Sequence, residues 1–189
     1  MGKKPVAAGK SSFDLIDPSK FFSNIEISPD AQIADLACGV GRYSIAIEKL
    51  LDEKGRIHAI DLWDEGIETL KKTIKEKGIS KIKPAITDIT KQIPLDTESI
   101  DFCLLATILH DLSIDEQDAT LKEIVRILKP RGVLAIIEFK KNDQEPGPPR
   151  KIRISELEAE EKIKKNGLIK LYCGEIGASN YLLTCQKKR

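Results

Sequence analysis

Asp35-Leu-Ala-Cys-Gly-Val-Gly41 follows the apolar start of a short run at residues 32–37 and leads into Arg42-Tyr43-Ser44, where helical spacing begins. The spacing predicts a strand over 32–37 and a helix over 42–51 that turns Ile45, Ala46, Leu50 and Leu51 inward. Strand, glycine turn and helix in that order suit a nucleotide-like ligand. Glycine lets the backbone come close, and the helix N-terminus is polar and positive. A glycine turn alone says little more than that.

Outward from this loop, short β-branched runs alternate with amphipathic helical runs, the signature of a parallel sheet covered by helices. Further strands are expected at 56–60, 83–87, 100–106 and 133–139, the fourth of the series being apolar almost throughout, as in a strand buried on both faces. Ile67, Leu70 and Ile74 mark a helix over 64–77 that Gly78 closes as a left-handed cap. Ser113-Ile-Asp-Glu116 and Ser155-Glu-Leu-Glu158 are capping boxes. The first opens a helix to Leu128, stopped by Lys129-Pro-Arg-Gly132. The second opens a helix ending before Gly167, whose Glu158/Lys162, Glu160/Lys164 and Glu161/Lys165 spacings suit i,i+4 pairs. Strands near 168–175 and 181–186 sit close enough for an antiparallel pair. Residues 1–30 read as an N-terminal extension capping a pocket, with Asp17-Pro18 starting a short helix that carries Phe21 and Phe22. Residues 31–189 read as one domain.

Three carboxylates refine the ligand. Asp35 precedes Gly39 by four residues. A nicotinamide-type loop would read Gly-x-Gly-x-x-Gly directly after the strand, whereas Ser44 occupies the third glycine position here. A carboxylate beside the loop repels a pyrophosphate and favours an ammonium group. Asp61 closes the second strand 20 residues after Gly41, where an acid accepts from a ribose diol. Asp88, in Thr87-Asp88-Ile89, either accepts from an exocyclic adenine amine or caps its own turn.

These elements together resemble the class I S-adenosylmethionine-dependent methyltransferases, over residues 31–140 and more loosely to the C-terminus. Asp35 to Gly41 resembles their first motif, Asp61 the ribose acid, Thr87-Asp88-Ile89 the adenine turn, residues 100–111 the fourth-strand motif and 127–134 the turn before the fifth strand. His110-Asp-Leu112 and Gly147-Pro-Pro149 are similar to features of the small UbiE-like, or type 11, subgroup. Arg131 stands where that family commonly has glycine. The resemblance implies a Rossmann-like, doubly wound α/β fold: seven strands in the order 3-2-1-4-5-7-6, the last antiparallel, with helices on both faces. It implies S-adenosyl-L-methionine as cofactor, leaving S-adenosyl-L-homocysteine, and a cofactor site of Asp35, Ala37, Gly39, Gly41, Asp61, Leu62, Asp88, Ile89 and Thr107.

Methyl transfer needs alignment and exclusion of water, and a base only when the nucleophile is protonated. Candidates are His110 and Asp111, then Glu138 and Tyr43. Each has a structural alternative: His110 as a loop residue bonding backbone, Asp111 as polar punctuation before the Ser113 cap, Glu138 as an ion pair with Lys140 or Lys141. Tyr43 is a pocket-lining candidate, and His58 reads as structural. No Asn-Pro-Pro-Tyr or Asp-Pro-Pro-Tyr follows the fourth strand, which disfavours nucleobase-amine acceptors. With no large inserted domain, the acceptor is expected to be small and partly apolar, walled by Phe13, Phe21, Phe22, Pro148 and Pro149. The competing readings are a cofactor-binding protein without turnover and a nicotinamide-dependent oxidoreductase.

The chain has 189 residues, with 31 basic and 30 acidic side chains and a net charge of +1. That balance offers no electrostatic case for a nucleic-acid partner. No apolar run reaches the ~18 residues of a membrane span, and no signal-peptide core is seen, so a cytoplasmic location is expected. Cys38, Cys103, Cys173 and Cys185 show no metal-ligand spacing and read as small apolar residues.

Overall fold

The computed structural model describes residue 9, residues 11–143 and residues 145–188. Seven strands form one sheet: β1 (Gln32–Leu36), β2 (Arg56–Asp61), β3 (Ile82–Ile86), β4 (Ile100–Ala106), β5 (Leu128–Phe139), β6 (Leu168–Glu175) and β7 (Asn180–Lys187). Their order is β3-β2-β1-β4-β5-β7-β6. Neighbours among β1 to β5 are parallel, while β7 runs antiparallel to both β5 and β6. The expected doubly wound seven-stranded sheet is the one observed. Pro84 lies in β3, an edge strand, where its missing N–H costs no ladder bond.

The helices are α1 (Pro18–Ser23), α2 (Arg42–Glu48), α3 (Asp64–Lys77), α4 (Ile114–Ile127) and α5 (Glu156–Lys165). Alternation along β4 shows how they sandwich the sheet. Phe102 and Leu104 join one core with Tyr43, Ile47 and Leu70 of α2 and α3. Cys103 and Leu105 join the other with Leu121, Ile124, Ala159 and Ile163 of α4 and α5. Each such large apolar side chain contributes about 1.5–3 kcal/mol by leaving water. The N-terminal segment shares the first core: Phe21 is fully buried, with its ring 5.6 Å from that of Tyr43.

Several local readings change. α2 ends at Glu48 instead of reaching residue 51, because Leu50 and Leu51 donate to Ile47 O and Glu48 O, three residues back, which tightens the last turn. Leu50 consequently faces out and Leu51 in. β5 starts at Leu128, so the predicted turn at 129–132 lies within the strand, opposite an irregularity between Ile100 and Phe102. Both capping boxes form. The α5 charges find tertiary partners instead of i,i+4 ones: Glu158 takes Lys141, Glu160 takes Lys170, and Lys165 takes Asp118. Among the described residues, no helix is long and apolar enough to cross a membrane.

Candidate functional site

The sheet order reverses between β1 and β4, and a cleft opens at the carboxyl ends of β1, β2 and β4. Asp35, Ala37 and Gly39 line it from the β1 side, Asp61 and Trp63 from β2, and Ala106, Thr107, Ile108 and Asp111 from β4. Ala37 and Thr107, the first residues past β1 and β4, hold φ of 59° and 51°, a left-handed conformation that non-glycine residues adopt at a cost of about 1–2 kcal/mol. Both strained residues face the same cleft.

The two glycines of the opening loop do different work. Gly39 has φ 55°, and a Cβ there would meet nothing within 4 Å. It lines the cleft, so the space a side chain would fill is left to a ligand. Gly41 has φ 75° and caps α2, but a Cβ on it would lie 2.4 Å from Leu70 Cδ1. Its role is packing of α2 on α3, and it is not among the lining residues.

Asp61 ties the site together. Its Oδ2 accepts from Gly39 N at 2.7 Å and its Oδ1 from Trp63 N at 2.8 Å. Each carboxylate oxygen has a second lone-pair direction, which leaves acceptor capacity for a diol. Past Asp61, Leu62 is 55% exposed and outside the lining set, whereas Trp63 lines the cleft. Trp63, which the sequence reading did not single out, thus joins the cleft wall from the β2 side. Trp63 Nε1 is buried with no hydrogen-bond partner among the described residues. Gly66 makes room for the indole, since a Cβ there would lie 2.3 Å from Trp63 Cε3.

Asp35 is 1% exposed and receives Ser44 Oγ. Burial pushes its carboxyl up to about 7; the Ser44 hydrogen bond opposes this and the Asp61 charge adds to it. Asp88 lies at the end of β3, outside the lining set. Its Oδ1 accepts from Thr90 N and Thr90 Oγ1, the turn-capping alternative of the sequence reading. Ile89 is buried in the α4–α5 core.

Ser12, which no sequence signal distinguished, bridges the cleft. Its Oγ shares a hydrogen bond of 3.0 Å with Tyr43 OH and accepts from Thr107 Oγ1 at 3.2 Å. The expected apolar walls lie elsewhere. Phe13 stacks edge-on against Tyr43, Phe21 is core, Phe22 lines a separate groove with Leu50, and Pro148 O accepts from Arg153 Nε. Pro149 leads into a short 3-10 turn. None of these residues lines the cleft, whose apolar surface comes from Val40, Tyr43, Trp63, Ala106 and Ile108.

Beside the cleft, His110 Nδ1 lies 2.6 Å from Glu138 Oε2, and His110 Nε2 lies 3.7 Å from Asp111 Oδ1. Glu138 is fully buried. The expected pairing of Glu138 with Lys140 or Lys141 does not form, because those lysines reach outward to Glu175 and Glu158. Burial lowers the His110 pKa, but the hydrogen bond and charge of Glu138, with Asp111, raise it on balance above the ordinary imidazole value. His58, half-buried in β2, is pushed down by burial and by Lys83.

The demethylmenaquinone methyltransferase of Lactobacillus johnsonii is 27% identical over 119 residues, 63% of this chain and 48% of that protein. The ubiquinone/menaquinone biosynthesis C-methyltransferase UbiE of a Shewanella strain is 27% identical over 124 residues, 64% of this chain and 49% of that protein. The chain thus spans about half the length of the curated relatives it matches. A crystal structure of a SAM-dependent methyltransferase from Aquifex aeolicus superposes with a TM-score of 0.84 at 26% identity, covering 97% of this chain and 94% of that one. Residues 33–132, which carry β1 to β4, the cleft loops and α4, match the methyltransferase domain family; since that is more than half of the 189 residues, the chain belongs to this family.

Proposed function

We propose that this protein transfers a methyl group from S-adenosylmethionine to a small-molecule acceptor. The observation that carries the reading is the charge of the cleft. Asp35, Asp61 and Asp111 line it, and no Lys or Arg does among the described residues. Such a set fits a ligand bearing a sulfonium and an ammonium, and opposes a pyrophosphate. When bound, S-adenosylmethionine supplies a methyl carbon already activated for in-line displacement.

The chain's own residues have separable tasks. Asp61 offers its remaining lone pairs to the ribose hydroxyls, and Asp35 its carboxylate to the ammonium. Ala37, Gly39 and Thr107 bring the backbone close, and Gly41 holds α2 against α3. Asp88, one strand further out, caps its own turn with Oδ1 and is assigned to the adenine edge through Oδ2, with the backbone of Ile89 beside it. The bridge Tyr43–Ser12–Thr107 ties the N-terminal segment to the cleft wall, the place from which that segment would screen a bound acceptor from water.

Calorimetry with S-adenosylhomocysteine, NAD and NADP tests the reading. Binding of S-adenosylhomocysteine alone is expected; binding of a nicotinamide cofactor in its place refutes it. Release of S-adenosylhomocysteine from S-adenosylmethionine with pooled small acceptors then separates an enzyme from a binding protein.

A further inference from the structure

We infer that the N-terminal segment from Ser11 to Asp17 is a movable wall of the cofactor cleft, and that cofactor enters and leaves only when this strap lifts from its seat on Tyr43 and Thr107. The inference rests on the cofactor assignment above and adds to it the step that controls exchange at the same site.

Access is the first observation. Asp35 and Asp61 line the cleft, yet they are 1% and 9% exposed. The acids that a ligand must reach are therefore shut from solvent in this conformation. The strap lies where it shuts them. Ser11 and Ser12 line the same cleft, and Ser12 is 5% exposed. The Ser12 hydroxyl rests on Tyr43 OH, and Tyr43 in turn is close enough to Asp35 to feel its charge. Thr107 Oγ1 donates to the same Ser12 oxygen, so one strap residue is tied both to α2 and to the residue that follows β4.

The fastening is uneven. At its C-terminal end the strap is anchored: Ile16 is buried, Asp17 N donates to Ile176 O, and Asp17 caps α1, whose Phe21 is fully buried. Gly177 packs so closely there that a Cβ on it would lie 2.4 Å from Leu15 O. Toward the cleft the ties are lighter. Asp14 pairs with Arg42, but the two side chains are 60% and 43% exposed, where an ion pair contributes little. Phe13 stands edge-on to Tyr43 at 5.0 Å, with the Arg42 guanidinium 5.6 Å from the centre of the phenyl ring. A segment held firmly at one end and lightly at the other opens locally, here by pivoting about Leu15 and Ile16, without unfolding the domain.

Trp63 marks what the seated state costs. A Cβ on Gly9 would lie 3.8 Å from Trp63 Cη2, which sets the N-terminal chain against the indole. Trp63 Nε1 is buried without an acceptor among the described residues, an arrangement that is unfavourable for an N–H group. Lifting the strap lets water reach that N–H, and a bound ligand offers it an acceptor when the strap returns.

Trp63 is the only tryptophan, so its fluorescence reports the strap directly. Rapid mixing with S-adenosylhomocysteine is expected to give an observed rate that climbs with concentration and then levels off at the rate of strap opening. Phe13→Ala and Asp14→Ala remove ties at residues that do not line the cleft. Together they raise that plateau by about 10-fold, the combined effect of an aromatic pair and an exposed ion pair, and speed release on dilution to a similar extent. Calorimetric affinity changes by much less than either rate, because entry and exit share one step. Asp14→Ala alone, at an exposed side chain, gives a smaller rise of about 2–3-fold and carries the test if the double variant does not fold. An observed rate linear in concentration throughout, rates unmoved in the variants, a lower affinity at unchanged entry rate, or a silent Trp63 in a chain that binds by calorimetry overturns the inference. Failure of the wild type to bind S-adenosylhomocysteine in the calorimeter overturns instead the cofactor assignment beneath it.

Discussion

Ser44 Oγ donates a hydrogen bond to Asp35 Oδ2 and ties the first turn of α2 to the last turn-facing carboxylate of β1, both side chains being out of contact with solvent. In sequence these two residues look like separate departures from a nicotinamide loop. In space they are one device: the serine at the third glycine position keeps a buried acid in place under the cofactor loop.

That device sets a pH dependence. Burial pushes the Asp35 carboxyl up to about 7 in the folded chain, against 3.8 for an ordinary aspartate. Between those values the folded state binds more protons than the unfolded one, so stability falls as pH rises. Asp35→Asn keeps an acceptor for Ser44 and removes the buried charge. It is expected to be more stable than wild type at pH 8, by roughly 2 kcal/mol, and no more stable at pH 4. Ligand binding follows the opposite sense, because an ammonium favours the ionised acid. S-adenosylhomocysteine affinity should rise from pH 6 to pH 8 in the wild type and stay flat in Asp35→Asn. Denaturant melts and calorimetry at the two pH values check both halves.

Asp61 joins structure and binding more tightly. Removing its carboxylate in Asp61→Ala strands the N–H groups of Gly39 and Trp63 as well as any ribose hydroxyl. A loss of about 1–3 kcal/mol of stability is expected, the cost of unpaired buried donors. Affinity for S-adenosylhomocysteine should fall by about 10-fold or more, the equivalent of at least one hydrogen bond to a charged acceptor. Chemical unfolding and calorimetry on the same preparation measure the two losses, and full affinity in this variant would misplace the ribose.

The fold was readable because periodicity and caps record local and packing forces directly: the apolar run of β4, the Ser113 and Ser155 boxes, and Gly78 each state their structure in a few residues. The cleft was readable where spacing from a glycine loop ties a residue to a strand end, as for Asp35, Gly39 and Asp61. What stayed hidden depends on contacts distant in sequence. Ser12 meets Thr107 across 95 residues, and His110 meets Glu138 across 28. Trp63 was within reach, since a strand's alternation carried one step past Leu62 places it in the cleft. The phenylalanines were misplaced because apolarity alone does not distinguish a core residue from a pocket wall.

Arg131 adopts φ 66° within β5, the left-handed backbone that glycine accepts freely. The side chain is exposed, and the hydrogen bond recorded at this residue runs from Gln186 Nε2 to its backbone carbonyl, which glycine retains. Arg131→Gly exchanges a left-handed strain of about 1–2 kcal/mol for a somewhat more disordered unfolded chain. A net gain of about 0.5–1 kcal/mol is expected, read as a higher denaturant midpoint at unchanged slope. A loss of stability would mean that the arginine side chain stabilises this bulge through its own contacts.

Gly39 and Gly41 provide the sharpest separation of ligand from scaffold, because one cleft-side loop asks opposite things of them. Gly41→Ala drives a methyl to 2.4 Å from Leu70 Cδ1 in addition to its φ of 75°, so either the buried Leu70 side chain or α2 itself must move. Overpacking and backbone strain together should cost about 2–4 kcal/mol of stability. Gly39→Ala meets no protein atom within 4 Å, so its stability loss is limited to the φ penalty of about 1–2 kcal/mol. Its methyl, however, occupies space the cleft keeps open, and S-adenosylhomocysteine binding should suffer far more than folding does. Thermal melts and calorimetry on the two variants should therefore give crossed rankings: Gly41→Ala the less stable protein, Gly39→Ala the weaker binder relative to its stability. Equal loss of binding in both, scaling with stability, would show that the loop merely has to be folded and that the backbone at Gly39 is not what the ligand approaches.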